Sequence, residues 1–555
     1  MKNLLTAWSR LFVGALRRAG VEDVVIAPGS RNTPLIVAAV RENELRVHSI
    51  LDERAAAFFA LGQARVTERP TAVFCTSGTA GAHFYPAVLE AEASRLPLIV
   101  VTADRPFELV DVGAPQAMDQ RGLFGRHVRA EIELGLPDAH PQALDGLARS
   151  AARAVHYARR GPVHVNFRAR KPLEAFDATT EAEQALERAV DARLSNLVHI
   201  DAARTQAGPV AAIVEALHTA QRPLVVAGPM RRRHAAVARF AEHIGAPLLA
   251  DVASQLRSAE VISTADVLLT RDDLVPDLVI RFGAPPTPTA WPKFFARHRD
   301  VPTFIIDETA DSEPFGGATQ LVVGDIDATA SALLEADARA EPDWLNRWRE
   351  QDRRVRELIA QRPWSEASVT RTVAAALPED ASIFVGNSLA IRHLDLYADP
   401  FVQPVLHQRG VNGIDGMLAG AAGAASRSEG PLAVLIGDVT FAHDVGSLSL
   451  LVRAASPVVV VVIDNDGGRI FEMLPLMNTE PPPAVLACFT TPPRIDLESA
   501  AKAFGVAYRG AEDQAALGAA LAYAFQRGGA TVVHARVPPS DAAPMLKALR
   551  EEVRS

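Results

Sequence analysis

Apolar and polar positions alternate along this chain in two rhythms. Short runs rich in Val, Ile, Leu and Phe carry no polar break, and each is followed by a segment of helical length and pattern. Unbroken apolar runs of this kind predict strands buried on both faces, and their helical partners predict parallel sheets covered on each side. One group of strands is expected at 23–30 (DVVIAPGS), 71–78 (TAVFCTSG), 97–104 (PLIVVTAD) and 161–167 (GPVHVNF). A second lies at 223–229, 246–251, 277–283 and 303–307, and a third at 382–386, 431–438, 457–464 and 531–537. Residues 168–200 are charged and without a strand, and 336–365 are polar and helical, so both divide the groups. The pattern predicts an α/β protein of three doubly wound parallel-sheet domains, at 1–180, 200–335 and 365–555. At the start, Leu4, Leu5, Trp8, Leu11, Phe12 and Leu16 stand at helical spacing, interrupted by Arg10, Arg17 and Arg18. That is an amphipathic helix and not a signal peptide.

Composition changes this picture little. The chain has 555 residues, too many for one core, and 48% of them are hydrophobic. The formal net charge of -9 argues against a nucleic-acid partner, which calls for a basic face. Anionic small substrates stay open, because local arginines decide those. The two cysteines, Cys75 and Cys488, have no metal-ligand spacing and are expected to pack as small hydrophobes. Without a disulfide framework, a cytoplasmic location is expected. No apolar run approaches the ~18 residues that a membrane helix needs.

Ligands of open parallel sheets bind beyond the carboxyl ends of strands. Those ends read APGSRNTP, TSGTAG, TADRP, VGNS, GDVT and DNDGG. Asp438 and Asn465 stand 27 residues apart, with a helix-sized stretch and a strand between them. One βαβ crossover would bring both to one rim if the strands are neighbours. A carboxylate, an amide oxygen and a backbone carbonyl at Gly467 then suit Mg2+ (or Mn2+), whose octahedron phosphates complete. Gly437 before Asp438, with Val439 and Thr440 after it, suits a loop packed against a diphosphate. Each piece alone would be ordinary turn chemistry; the pair at this spacing favours the metal.

The segments HSILDERAAAFFALGQAR, TSGTAGAHFYPAVLEA, PLIVVTADRPFEL, GAPQAMDQ, VGNSLAIR, RGVNGIDG and NDGGRIFEMLP occur in that order. Together with GD…DND they resemble thiamine-diphosphate enzymes. Within that superfamily they resemble the 2-succinyl-5-enolpyruvyl-6-hydroxy-3-cyclohexene-1-carboxylate synthases of menaquinone biosynthesis. The resemblance is dense over 24–125 and 384–475. Two positions depart from the general signature, Val439 for a glycine and Asp464-Asn465-Asp466 for paired asparagines.

The resemblance implies a transferase that decarboxylates 2-oxoglutarate and adds the remaining four-carbon unit to isochorismate. It implies thiamine diphosphate held between pyrimidine-binding and diphosphate-binding domains of two subunits, hence a homodimer or homotetramer. Glu53 would contact the aminopyrimidine, where a partly desolvated carboxylate stabilises the imino tautomer. Asp438, Asn465 and the Gly467 carbonyl carry over as metal ligands, and Ile414 as the wedge beneath the bent cofactor. Ser388, Arg392 and Arg409 would hold the donor carboxylate, since guanidinium forks bind carboxylates bidentately. Ser30, Arg31, Arg105 and Gln116 would face isochorismate, and Ile470, Phe471 and Leu474 would supply apolar wall. A lysine that the family places in the middle domain aligns with Thr289, with Lys293 a turn later.

Other readings stay open on the residues alone. Another thiamine-diphosphate enzyme, such as a 2-oxoacid decarboxylase or acetohydroxyacid synthase, would share the cofactor motifs but needs an apolar pocket where these arginines stand. A non-catalytic binding protein could keep the fold. A nicotinamide dehydrogenase finds no support, because no strand is followed by G-x-G-x-x-G.

Overall fold

The computed structural model describes residues 1–198, 200 and 206–554. They form two compact units. The first comprises Met1–Ala202, Gln408–Glu429 and Asp444–Ala455, and the second Ala203–His407, Gly430–His443 and Ser456–Ser555.

The first unit is built on strands β1 (Asp23–Ile26), β2 (Arg46–Ser49), β3 (Thr71–Cys75), β4 (Leu98–Asp104), β5 (Ala130–Leu134) and β6 (Val163–Arg168). They form one sheet in the order β2-β1-β3-β4-β6-β5, parallel throughout. The N-terminal helix Leu4–Ala19 buries Trp8, Leu11, Phe12 and Leu16 in the same core as Phe74, Val101 and Phe167. The helix Glu181–Ser195 adds Leu186, Val190 and Leu194 to that core. The charged stretch around it therefore carries a packed face, written only by residues four apart.

The second unit holds two sheets. One contains β7 (Pro223–Ala227), β8 (Leu248–Ala250), β9 (Leu278–Phe282), β10 (Thr303–Asp307) and β11 (Gln320–Val323), ordered β11-β10-β9-β7-β8. The other contains β12 (Ser382–Val385), β13 (Val405–His407), β14 (Leu432–Gly437), β15 (Val458–Asp464), β16 (Ala507–Ala511) and β17 (Ala530–Arg536), ordered β13-β12-β14-β15-β17-β16. Both are parallel throughout. The polar helix Trp344–Ala360 is no loose linker, for Trp344, Trp348, Val355 and Ile359 are buried in a core shared with Trp291 and Leu549.

All three sheets share one wiring. The chain places its second strand on one side of the first, then crosses to the other side for the third. Each sheet therefore has a switch point: β1/β3, β7/β9 and β12/β14. There the connections diverge and leave a crevice beyond the strand ends. Among the described residues no helix is long and apolar enough to cross a membrane.

Candidate active site

The crevice chemistry is clearest in the third sheet. β14 and β15 are parallel neighbours, with Gly437 opposite Ile463. Asp438 and Asn465 thus leave adjacent strands at one rim. Asp438 is buried there, and its Oδ2 accepts the Gly467 N–H at 2.7 Å while Oδ1 accepts that of Val439 at 2.8 Å. Burial pushes the Asp438 carboxyl up to about 6, reinforced by the charges of Asp464 and Asp466 and opposed by the two backbone donors. Asp464 turns away to His534 Nε2 at 2.7 Å, and that bond holds it below the usual carboxylate range.

The loop after β15 closes tightly. Asp466 takes φ +61° and Gly467 φ +115°. A Cβ on Gly467 would meet the Thr490 carbonyl oxygen at 2.3 Å, so both conformation and space demand glycine there. Arg469 pins the loop from beneath, donating to the carbonyls of Asn465 at 2.9 Å and Asp466 at 2.8 Å. Ile470 and Phe471 follow in a short helical turn, Arg469–Met473, and Leu474 comes just after it. Phe471 packs on Phe489 with ring centroids 5.4 Å apart, and Leu474 is exposed. The buried Asp438, the Asn465 amide and the Gly467 carbonyl are a hard-oxygen donor set that fits a divalent cation. Among the described residues no group of three or more His, Cys, Asp or Glu side chains is placed to hold a metal.

Ser388 follows β12, across the switch point from Asp438. It adopts φ +65°, unusual for a non-glycine residue, and stands at the N-cap position of the helix Leu389–Tyr397 without a side-chain cap bond. Arg392 is the next turn of that helix, and its Nη1 donates to the Ser388 carbonyl at 2.6 Å. Two buried acids fix the helix. Asp395 accepts from Val252 N at 2.7 Å and from Arg257 at 2.8 Å. Glu366 Oε2 lies 3.1 Å from His393 Nδ1, while its Oε1 accepts the Asn465 Nδ2–H at 2.9 Å. Burial alone would raise the Glu366 carboxyl, but His393, Asn465 and Arg469 hold it below its ordinary value. Nothing in the sequence pattern pointed to Glu366, which lies 99 residues before Asn465.

In the first unit Glu53 begins the helix Glu53–Thr67, whose N-cap Asp52 accepts from Ala55 N at 2.9 Å. The Cys75 thiol at the end of β3 is pushed well above its ordinary value, first by burial and then by the Glu53 charge. The helix packs backbone to backbone against Met417–Ala425. A Cβ on Gly62 would meet the Gly420 carbonyl oxygen at 1.9 Å, and one on Gly423 the Phe59 carbonyl oxygen at 1.9 Å. Ile414, half-buried, stands just before that second helix. The loop carrying Arg409 is held by buried Glu90, whose two oxygens accept from Gly410 N at 2.9 Å and Val411 N at 3.0 Å.

Ser30, Arg31, Arg105 and Gln116 gather at the β1/β3 switch point and the neighbouring end of β4. Arg31 N donates to Thr76 Oγ1 at 3.3 Å, and its Nη1 to the Ala169 carbonyl at 2.8 Å. Arg105 donates to Ser77 Oγ and, through Nη2, to the Pro115 carbonyl at 2.7 Å. Gln116 Nε2 reaches the Ser77 carbonyl at 3.2 Å. Burial, and then the Arg105 charge beside it, hold the Arg31 guanidinium below its ordinary value. Two buried cations set side by side suit an anion. Ser30 is exposed at the mouth.

One expectation is corrected, that for Cys488, and the aligned Thr289 and Lys293 can be placed in the fold. Lys293 is exposed on the helix Trp291–Arg297, whereas Thr289 is locked inward, its Oγ1 bonded to Asp266 at 3.0 Å and to Arg550 at 3.1 Å. The cation at Thr289 is thus an arginine from the C-terminal helix, already paired with Asp266. Cys75 is buried as expected, but Cys488 is exposed, because the apolar helix that carries it, Pro483–Thr490, buries only Thr490.

Comparison with known proteins places this chain in a class. The family model described as the thiamine pyrophosphate enzyme N-terminal TPP binding domain matches residues 7–123. The thiamine pyrophosphate middle domain matches 200–385, and the C-terminal TPP binding domain matches 398–535. Three such domains in that order define a thiamine-diphosphate enzyme. Curated 2-succinyl-5-enolpyruvyl-6-hydroxy-3-cyclohexene-1-carboxylate synthases narrow the class. That of Sorangium cellulosum is 40% identical over all of this chain and 96% of its own length. Those of Geobacillus thermodenitrificans and Haloarcula marismortui are each 36% identical, over 100% and 99% of this chain and 97% and 98% of their own. The chain belongs to the 2-succinyl-5-enolpyruvyl-6-hydroxy-3-cyclohexene-1-carboxylate synthase family.

Proposed function

We propose that this protein is a thiamine-diphosphate-dependent transferase of menaquinone biosynthesis. It decarboxylates 2-oxoglutarate and adds the resulting four-carbon unit to isochorismate. The observation that carries the choice of substrates is the buried pair Arg31 and Arg105. A pyruvate enzyme would need apolar walls at such places, whereas both substrates here are dicarboxylates.

Bound thiamine diphosphate supplies the electron sink for loss of CO2. The chain supplies the rest. Asp438, Asn465 and the Gly467 carbonyl would hold Mg2+ or Mn2+, and the backbone from Gly437 to Thr440 would take the diphosphate. Glu53 holds a proton at the aminopyrimidine ring. Ile414 would support the cofactor from beneath. Ser388, Arg392 and Arg409 orient the donor carboxylate, and Ser30, Arg31, Arg105 and Gln116 orient isochorismate. Ile470, Phe471 and Leu474 exclude water, which would otherwise protonate the donor unit before it reaches isochorismate. We assign a homodimer as the minimum assembly. The exposed apolar residues Leu476 and Val485 support a partner surface there.

The test is loss of isochorismate with purified protein, thiamine diphosphate, Mg2+ and 2-oxoglutarate, with pyruvate as parallel donor. Consumption that needs both the cofactor and 2-oxoglutarate is expected. CO2 release from pyruvate with isochorismate untouched would move the protein to another branch of the superfamily.

A further inference from the structure

We infer that Glu366 is a positioning residue that sets which end of the Asn465 amide faces the metal. The inference rests on the reading of Asp438, Asn465 and Gly467 as metal ligands. An asparagine amide has two nearly isosteric ends, and only its oxygen can bind a cation. Nothing in the DNDGG turn itself chooses between them. Glu366 makes the choice: its Oε1 is an acceptor, so the Asn465 Nδ2–H2 group must point to it, at 2.9 Å. The amide oxygen is thereby directed away from Glu366. The carboxylate cannot swing off to release the amide, since it is buried, begins the helix Glu366–Ala375 and has its other oxygen 3.1 Å from His393 Nδ1. It also lies outside the loop it orients, at the start of a separate helix. Partners of this kind, one bond behind a metal ligand, typically change metal affinity 10- to 100-fold when removed.

The experiment titrates Mg2+ into the full-length protein at fixed thiamine diphosphate and follows binding by calorimetry. In Glu366→Ala the half-saturating Mg2+ concentration is expected to rise about tenfold or more. Glu366→Gln, which can present its own oxygen to Asn465, should stay within about twofold. A crossed pair guards against misfolding of the alanine variant. Asn465→Asp sets two carboxylates against each other and should weaken Mg2+ binding, and adding Glu366→Gln gives the new aspartate a donor and should restore it. Mg2+ binding in Glu366→Ala equal to the unmodified protein, or no restoration in the double variant, would overturn the inference. Asn465→Ala separates the two levels. If it leaves the Mg2+ midpoint unchanged, the metal reading itself fails; if it shifts the midpoint while Glu366→Ala does not, only the role of Glu366 fails.

Discussion

At the scale of single residues, charge and backbone conformation divide the labour. Asp438 is a buried acid, raised to about 6 by burial and further by the charges of Asp464 and Asp466, against two backbone donors. Gly467 is held by φ and by the Thr490 carbonyl, so its own carbonyl has one direction. Glu53 stands at a helix start with its carboxylate close enough to Cys75 to raise that thiol. Glu53→Gln keeps the side chain's size and loses only its proton chemistry. It should bind thiamine diphosphate and Mg2+ as the unmodified protein does, with turnover lost by about 100-fold or more; calorimetry beside the isochorismate assay checks both. Arg392→Ala removes a guanidinium whose other end is fixed by Ser388. The 2-oxoglutarate KM should rise about tenfold or more, as expected for a lost charge-assisted bond, with the isochorismate KM little changed. Steady-state kinetics with each substrate varied in turn decides this.

At the scale of elements, small residues set how closely two helices approach. The helix that begins with Glu53 meets Met417–Ala425 through Gly62, Gly420 and Gly423, backbone on backbone. The spacing of Glu53 from the loop of Ile414 and Arg409 depends on that contact. Gly62→Ala would gain about 1 kcal/mol of helix propensity in isolation. Here its methyl would lie 1.9 Å from a carbonyl oxygen, and backbone cannot yield as a flexible side chain does. The variant should be less stable by roughly 1–3 kcal/mol and should lose turnover more than cofactor binding. Denaturant unfolding and single-turnover assays check the two parts.

At the scale of the whole molecule, the first unit carries a buried polar seam across its sheet. His164 lies between Thr102, whose Oγ1 is 2.8 Å from its Nε2, and the edge of Phe124. Burial pushes His164 down to about 4. The folded protein therefore keeps this imidazole neutral where the unfolded chain, at its ordinary 6.5, takes up a proton. Below 6.5 the unfolded state binds more protons, so stability falls as the pH drops from about 6.5 toward 4, by up to roughly 3 kcal/mol from this group. His164→Gln should flatten that slope, measured as midpoints of denaturant unfolding against pH. Asp438, raised to about 6, works in the opposite sense in metal-free protein, and it is common to both proteins in the comparison.

Burial on both faces writes itself into sequence as an unbroken apolar run, and the strands read from such runs are present. The strands that escaped are Arg46–Ser49, Ala130–Leu134, Gln320–Val323, Val405–His407 and Ala507–Ala511, and each lies at the edge of its sheet. An edge strand has a neighbour on one side only and keeps polar residues, so its sequence lacks the signal. The chain by itself thus determined the sheet centres, the strand-end motifs and the residues offered for chemistry, because these are local patterns. Tertiary structure alone decided the partners that aim those residues: Glu366 for Asn465, Glu90 for the Gly410 loop, Gly62 for Gly420. Those pairs are joined by 99, 320 and more than 350 residues of chain. A buried hydrogen bond or a close backbone approach depends on distance in space, and no local pattern records it.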